Sequence, residues 1–339
     1  NWQVATNKQR DTAWQQLEDW SQQQLKQYAV QCTPNDLVVY LESTFLQQHG
    51  RQEAEDGSKC PAPSTLNTAL AHLSTRFQEY GCRGVWDWAT YSGNPCNSME
   101  IRIFKGGYAN QMQDAGFKPT AAKPISDSKL QQLVHRLTEE ACAYQQMSKE
   151  EQKQQPWHVE ALLWRDACIV QYLWDSKRRP AEAGKLQTSQ LDVSISVSEG
   201  SNVVARPSTG KMCHASRGSR QPKPVEVPSQ QLADLLWQYV QCLSRANKAL
   251  GRFMFSPLNS SRQDFQWQQG LSTAAMGARV VFHLKRLGLY EGESLYSIKR
   301  GAMQHDYFVH GFSLQAIGEA ADIETAAVVQ MYVDPSRHM

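Results

Sequence analysis

The chain has no run of 18 apolar residues, so no helix is expected to cross a membrane. Its first residues, NWQVATNKQR, lack the apolar stretch of a secretory signal, and none is expected. No two of the eight cysteines (32, 60, 82, 96, 142, 168, 213 and 242) stand in a Cys-x-x-Cys pair. That scatter argues against a zinc site or a disulfide frame, and fits reduced thiols in cytosol or nucleus. There is no phosphate-cradling P-loop, no His-Glu-x-x-His, no acid cluster of the two-metal nuclease kind and no internal repeat. Nucleotide hydrolysis and metal-assisted cutting therefore find no support in the residues. A formal net charge of +2 excludes little.

What is present describes a folded protein. Hydrophobic residues make up 41% of 339, with ten tryptophans, enough for two domains with separate cores. The charge is unevenly placed: between Asn202 and Arg262 nine Lys/Arg face two acids, Glu226 and Asp234. A cationic belt of that kind suits a phosphate backbone, although a solvated surface has the same look.

Residues 1–150 read as helical. Trp14, Leu17, Trp20, Leu25 and Tyr28 mark one amphipathic helix, and Thr33-Pro34 opens another through Leu46. Gly50 to Pro63 is a polar loop, and Ser64 or Thr65 is expected to cap a helix ending at Gly81. GVWDWATYSGNPC reads as a loop with aromatic anchors, followed by helices from about Ser98 to Ala115 and from Ser126 to Met147. The segment SKEEQKQQP (148–156) is the best linker. Past it comes a strongly apolar helix, Trp157 to Asp175, then short strands at Leu191 to Val197, Asn202 to Arg206 and Val225 to Val227. Two helices follow, one capped at Pro228-Ser229 and one over Leu271 to Leu287 that stops at Gly288. The expected class is mainly α with a small antiparallel β-sheet.

The stretch 292–334 organises the rest. It reads as three short helices: one opening at Ser294 to Ser297 and carrying Lys299 and Arg300, one over Ser313 to Ala321, and a last one capped by Asp322. His305 and His310 read as packing or helix-surface histidines. A basic box thus precedes a late tyrosine, Tyr332.

YSIKRG (296–301), IGE (317–319) and QMYV (330–333) together resemble the C-terminal boxes of the tyrosine recombinases, the phage-integrase type. Those boxes are His-x-x-Arg, often followed by Arg-Gly, then Leu-Gly-His/Trp, then a nucleophilic tyrosine. Here Tyr296 stands at the His, Lys299 at the Arg with Arg300 one place later, and Glu319 at the third-box His or Trp. Arg179-Pro-Ala-Glu182 matches the family's first Arg-x-x-Glu turn, and Pro180 suits a helix start. An Arg fork steadied by a nearby carboxylate can present two N–H groups to one phosphate.

The resemblance implies a helical core-binding domain (1–150) that clasps DNA and an α+β catalytic domain (157–339). It implies DNA strand cleavage and rejoining through a 3′-phosphotyrosyl ester, without cofactor or metal. Tyr332 would be the nucleophile. Arg179, supported by Glu182, would be the first phosphate clamp, and Lys299 or Arg300 the second. Lys211, with Lys223 as a rival, would protonate the leaving oxygen. Tyr296 and Glu319 would fill the remaining box positions, Tyr296 as a poor proton shuttle and Glu319 unable to donate when ionised. The implied partner is double-stranded DNA at recombination sites or element ends, bound by a homo-oligomer of two to four copies, with no membrane. The Gln- and Trp-rich character suggests a eukaryotic mobile element of the crypton or DIRS sort, hence a nuclear location, or a cytoplasmic one if the source is not eukaryotic. The alternative is a domesticated, catalytically impaired DNA-binding descendant.

Overall fold

The computed structural model describes residues 2–48, 52–53, 59–116, 122–148, 150–151, 156–194, 202–206, 225–227, 229–261 and 264–334. Two compact units divide between residues 120 and 121.

The first unit is helical, as its periodicity predicts. Helix α1 (Trp2–Gln24) is followed by α2 (Pro34–Tyr40), a π-turn over Leu41–Phe45, and α3 (Leu46–Gln48). Thr33 accepts from the Asp36 N–H while the Asp36 carboxylate accepts from the Thr33 N–H, a capping box that fixes the start of α2. A two-residue ladder, β1 (Gln52–Glu53) with β2 (Lys59–Cys60), lies in the expected polar loop. Helix α4 (Pro63–Glu79) is capped by Ala62 with Pro63 as its first residue, not by Ser64 or Thr65: proline's fixed φ starts the helix without a side-chain cap. Helix α5 (Met99–Asp114) begins at Ser98, whose hydroxyl accepts from the Ile101 N–H. Leu17, Trp20, Leu37, Tyr40, Leu70, Leu73, Phe77 and Ile101 form the core of this unit. The aromatic loop before α5 is pinned by paired Asp87 and Ser92 backbones and by Trp88 Nε1 donating to Glu100 at 2.8 Å.

The second unit is built around a helix with no dry-to-wet polarity. Helix α7 (His158–Ser176) is buried continuously from Glu160 to Trp174 except at Leu162, so other helices must cover every face. Helices α6 (Asp127–Gln146) and α9 (Gln230–Arg245) pack on it and share its core. The boundary expected at 148–156 therefore falls inside this unit. α6 belongs here because Leu130, Leu133, Val134 and Leu137 bury their stripe in the α7 core, and Lys129 pairs with Glu293 at 2.5 Å. The charged pair at the middle of α7 is met from within the unit. Asp166 Oδ1 accepts from Arg165, and its Oδ2 meets Arg279 at 2.6 Å and His283 at 2.9 Å. Burial alone would raise the Asp166 pKa, but Arg165, the His283 hydrogen bond and Arg279 outweigh it and hold the carboxyl below the usual range.

After α7 come a short helix, α8 (Pro180–Ala183), and an antiparallel sheet in the order β3–β4–β5: β3 (Leu191–Ser194), β4 (Asn202–Ala205) and β5 (Val225–Val227). Alternation places Val203, Ala205 and Val227 in the core. Helix α10 (Thr273–Arg286) follows, capped by Ser272 and ended at Gly288 with φ +69°. The chain then enters α11 (Leu295–Phe308), α12 (Leu314–Ala320) and α13 (Ala326–Val333). The last two helices dock through a small cluster of Met303, Ile317, Ala321, Val329 and Val333. Asp322 does not cap α13. It lies in the left-handed region at φ +54°, and Thr325 is the residue preceding the helix. Among the described residues no helix is long and apolar enough to cross a membrane.

Candidate active site

The site begins where α7 stops. Lys177 takes a left-handed backbone conformation, φ +53°, which turns the chain sharply and brings three successive cations out of the helix. Lys177 Nζ lies 3.0 Å from Asp306 on α11, and Arg178 Nη1 lies 3.0 Å from Asp322, in the link between α12 and α13. Arg179 is the N-cap residue of α8, extended because Pro180 follows it, and its Nη1 is 3.4 Å from Glu182. Arg178 and Glu182 are buried, whereas Arg179 is partly open to solvent.

Lys299 approaches this cluster from α11. Its side chain is 1% exposed, and Nζ donates to the Ala321 carbonyl at 3.2 Å. Burial, and then the neighbouring positive charge of Arg179, push its pKa down to about 7; Glu182 and Asp322 work in the opposite sense. Nζ also sits 5.8 Å from the centre of the Tyr332 ring. The fold thus brings Arg179, Glu182, Lys299 and Tyr332, from three separate parts of the chain, into one neighbourhood.

Arg300 points elsewhere, since successive helical side chains diverge by about 100°. Its Nη1 donates to Ala122 O at 3.1 Å and its Nη2 to Met331 O at 2.9 Å, with the guanidinium 5.7 Å from the Tyr332 ring centre. Tyr296, 45% exposed, joins Arg300, Ser294, Val328, Met331 and Tyr332 around a cleft of about 470 Å³. Tyr332 is half-buried and stands between these two settings. Glu319 is exposed, accepts from Gln315 at 3.1 Å, and lines a second depression of about 560 Å³ with Asp322 and Glu324. The structure does not place it beside Lys299 or Tyr332. Lys211 and its rival Lys223 lie outside the described residues.

Sequence reasoning missed Arg178 and Asp322. The run Lys177-Arg178-Arg179 was visible, but only the Arg-x-x-Glu spacing singled out one member, and nothing local signals a partner 144 residues away. Chemically, the site offers a phenol near a buried amine and a guanidinium, a set suited to an anionic, phosphate-like group. Among the described residues no group of three His, Cys, Asp or Glu side chains is arranged to hold a metal ion.

No protein-family model matches the sequence, and no curated protein is similar to it in sequence. Solved structures are similar in fold. The XerH site-specific recombinase bound to its difH substrate before cleavage superposes with a TM-score of 0.54 at 11% identity, covering 93% of this chain and 72% of that one. The XerH post-cleavage complex gives 0.51 at 13% identity, covering 90% and 70%. A lambda integrase dimer bound to a core site gives 0.46 at 10% identity, covering 89% and 80%. The chain has the tyrosine-recombinase fold: mainly helical, with a small antiparallel sheet.

Proposed function

We propose that the protein cleaves and rejoins DNA strands through a phosphotyrosyl intermediate. The observation that carries this reading is that Lys299, 5.8 Å from the centre of the Tyr332 ring, lies close enough to Arg179 and Arg178 to feel their charge. The XerH complexes, which are bound to DNA substrates, share the fold and add support. In the proposed reaction the Tyr332 Oη bonds to the scissile phosphorus while the phenol gives up its proton to solvent water. The phosphorus–O5′ bond breaks, and O5′ takes a proton as it leaves. Arg179 and Lys299 carry the developing negative charge of the pentacoordinate phosphate. Glu182 and Asp322 hold the guanidinium groups in place, and Lys211 supplies the proton to O5′. Double-stranded DNA at element ends is the proposed substrate, bound by two to four copies, and a eukaryotic mobile element working in the nucleus is the proposed setting.

A second reading, a DNA-binding descendant with impaired cleavage, draws on one observation. Lys299 is buried with a depressed pKa where a permanently charged fork would serve better.

The test is covalent capture. The protein is mixed with nicked suicide DNA carrying candidate element ends, without metal, and the products are run in SDS. An adduct that disappears in Tyr332→Phe supports cleavage. Salt-sensitive DNA binding with no adduct supports the second reading, and neither binding nor adduct refutes both.

A further inference from the structure

We propose that Arg300 and Gln304 form a cleat that seats α13 through its last carbonyls, so that Arg300 positions Tyr332 rather than contacting phosphate. The proposal rests on the recombinase reading for its catalytic consequence, but not for its geometry. The final carbonyls of a helix lack intrahelical donors, and the helix dipole makes that end negative. On α13 the Gln330 carbonyl accepts from the Asp334 N–H at 2.9 Å. The next two carbonyls are met from outside the helix: Met331 O by Arg300 Nη2 at 2.9 Å, and Tyr332 O by Gln304 Nε2 at 3.3 Å. Residues 300 and 304 are one helical turn apart on α11, so a single face presents both donors. Arg300 brings a permanent positive charge to the negative end of α13. Its other terminal nitrogen donates to Ala122 O at 3.1 Å, so the same fork ties α13 to the segment leading into α6.

Two further observations favour positioning. Only Val329 and Val333 of α13 are buried, within a small cluster, so apolar packing alone holds the helix weakly. The Arg300 guanidinium also lies 5.7 Å from the Tyr332 ring centre and lines the Tyr296 cleft, whereas the charges of Arg179 and Arg178 act on Lys299. A fork committed to two main-chain carbonyls fixes where the ring stands. Lysine at this position would replace two directed bonds with one.

The test compares Arg300→Ala, Arg300→Lys and Gln304→Ala with the parent, using amide hydrogen exchange over 326–334, duplex-DNA affinity and adduct yield on suicide DNA. A thermal melt confirms that each variant is folded. Arg300→Ala is expected to speed exchange over 326–334 by about tenfold, the scale of one lost charge-assisted cap. It should lower adduct yield by a similar factor and leave DNA affinity within about twofold, since no phosphate contact is lost. Arg300→Lys should recover part of both losses, and Gln304→Ala should show a smaller exchange effect in the same segment. Unchanged exchange in Arg300→Ala and Gln304→Ala, or a large loss of DNA affinity with exchange unchanged, overturns the cleat. Should the parent form no adduct, the cleavage reading fails, while the exchange data still decide the cleat. Should Arg300→Ala not fold, Arg300→Lys and Gln304→Ala decide it by exchange alone.

Discussion

Arg178 and Asp322 face each other at 3.0 Å, the guanidinium 2% exposed and the carboxylate 18%. The pair joins the end of α7 to the link between α12 and α13. Removing only the charge of Asp322 takes from the buried Arg178 guanidinium the carboxylate it meets at 3.0 Å. Asparagine tolerates the left-handed backbone that residue 322 adopts, so Asp322→Asn isolates the electrostatic effect. The expected loss is about 2–3 kcal/mol, seen as a drop of several degrees in the melting temperature. A variant as stable as the parent would mean that the pair is solvated.

Lys299 predicts a pH-dependent stability. Its folded pKa is about 7, below the unfolded value of about 10.4. Between those values the unfolded chain binds more protons than the folded one, so stability rises with pH across that window. Below pH 7 the burial penalty is fully present. Lys299→Met should therefore be more stable than the parent at pH 6 by on the order of a few kcal/mol, seen as a higher melting temperature, and this advantage should fade toward pH 10. A melting difference that does not change with pH would count against a buried, depressed amine.

The same group predicts proton uptake on binding. A phosphate lodged beside Arg179 and Lys299 favours the ammonium form, so binding of duplex DNA at pH 8 should draw protons from the buffer. Calorimetry in two buffers of different ionisation enthalpy measures it. Equal apparent heats, with binding intact, would show that Lys299 meets no phosphate in the bound state.

Gly301 leaves no room for a side chain. A Cβ there would lie 1.9 Å from the Ile125 carbonyl oxygen, against a backbone that also donates its N–H to Ser297 O. Gly301→Ala should cost about 1–3 kcal/mol despite alanine's better helix propensity, measured by denaturant unfolding. A stabilised variant would show that the segment before α6 yields easily.

Much of the layout was legible because helix starts are local events. Ser98, Ser126, Ser229 and Ser313 each accept from the N–H three residues on, as their position before an apolar-periodic run predicts. The stop at Gly288 was legible for the same reason. What could not be read is non-local. Asp322 has the composition of a cap but serves as the partner of Arg178, because a left-handed turn separates it from α13. The polar linker at 148–156 signals exposure, not allegiance, so it did not reveal that α6 packs on α7. Glu319 follows a glycine in the expected order, yet α12 carries it toward solvent.

The Asp166 network has a consequence for the rotation of α7. A helix apolar on nearly every face can be buried at several angles about its own axis with similar loss of water contact. Asp166 and Arg165 break that degeneracy. Only one rotation lets the carboxylate meet Arg279 and His283 while Arg165 Nη1 reaches Ser256 O at 2.7 Å. Because Lys177, Arg178 and Arg179 leave from the end of this helix, the azimuth fixed at its middle also aims the cations at its tip. An apolar replacement at Asp166 with matching changes at Arg165 and Arg279 is therefore expected to keep the protein compact while broadening the amide NMR signals of residues 177–182.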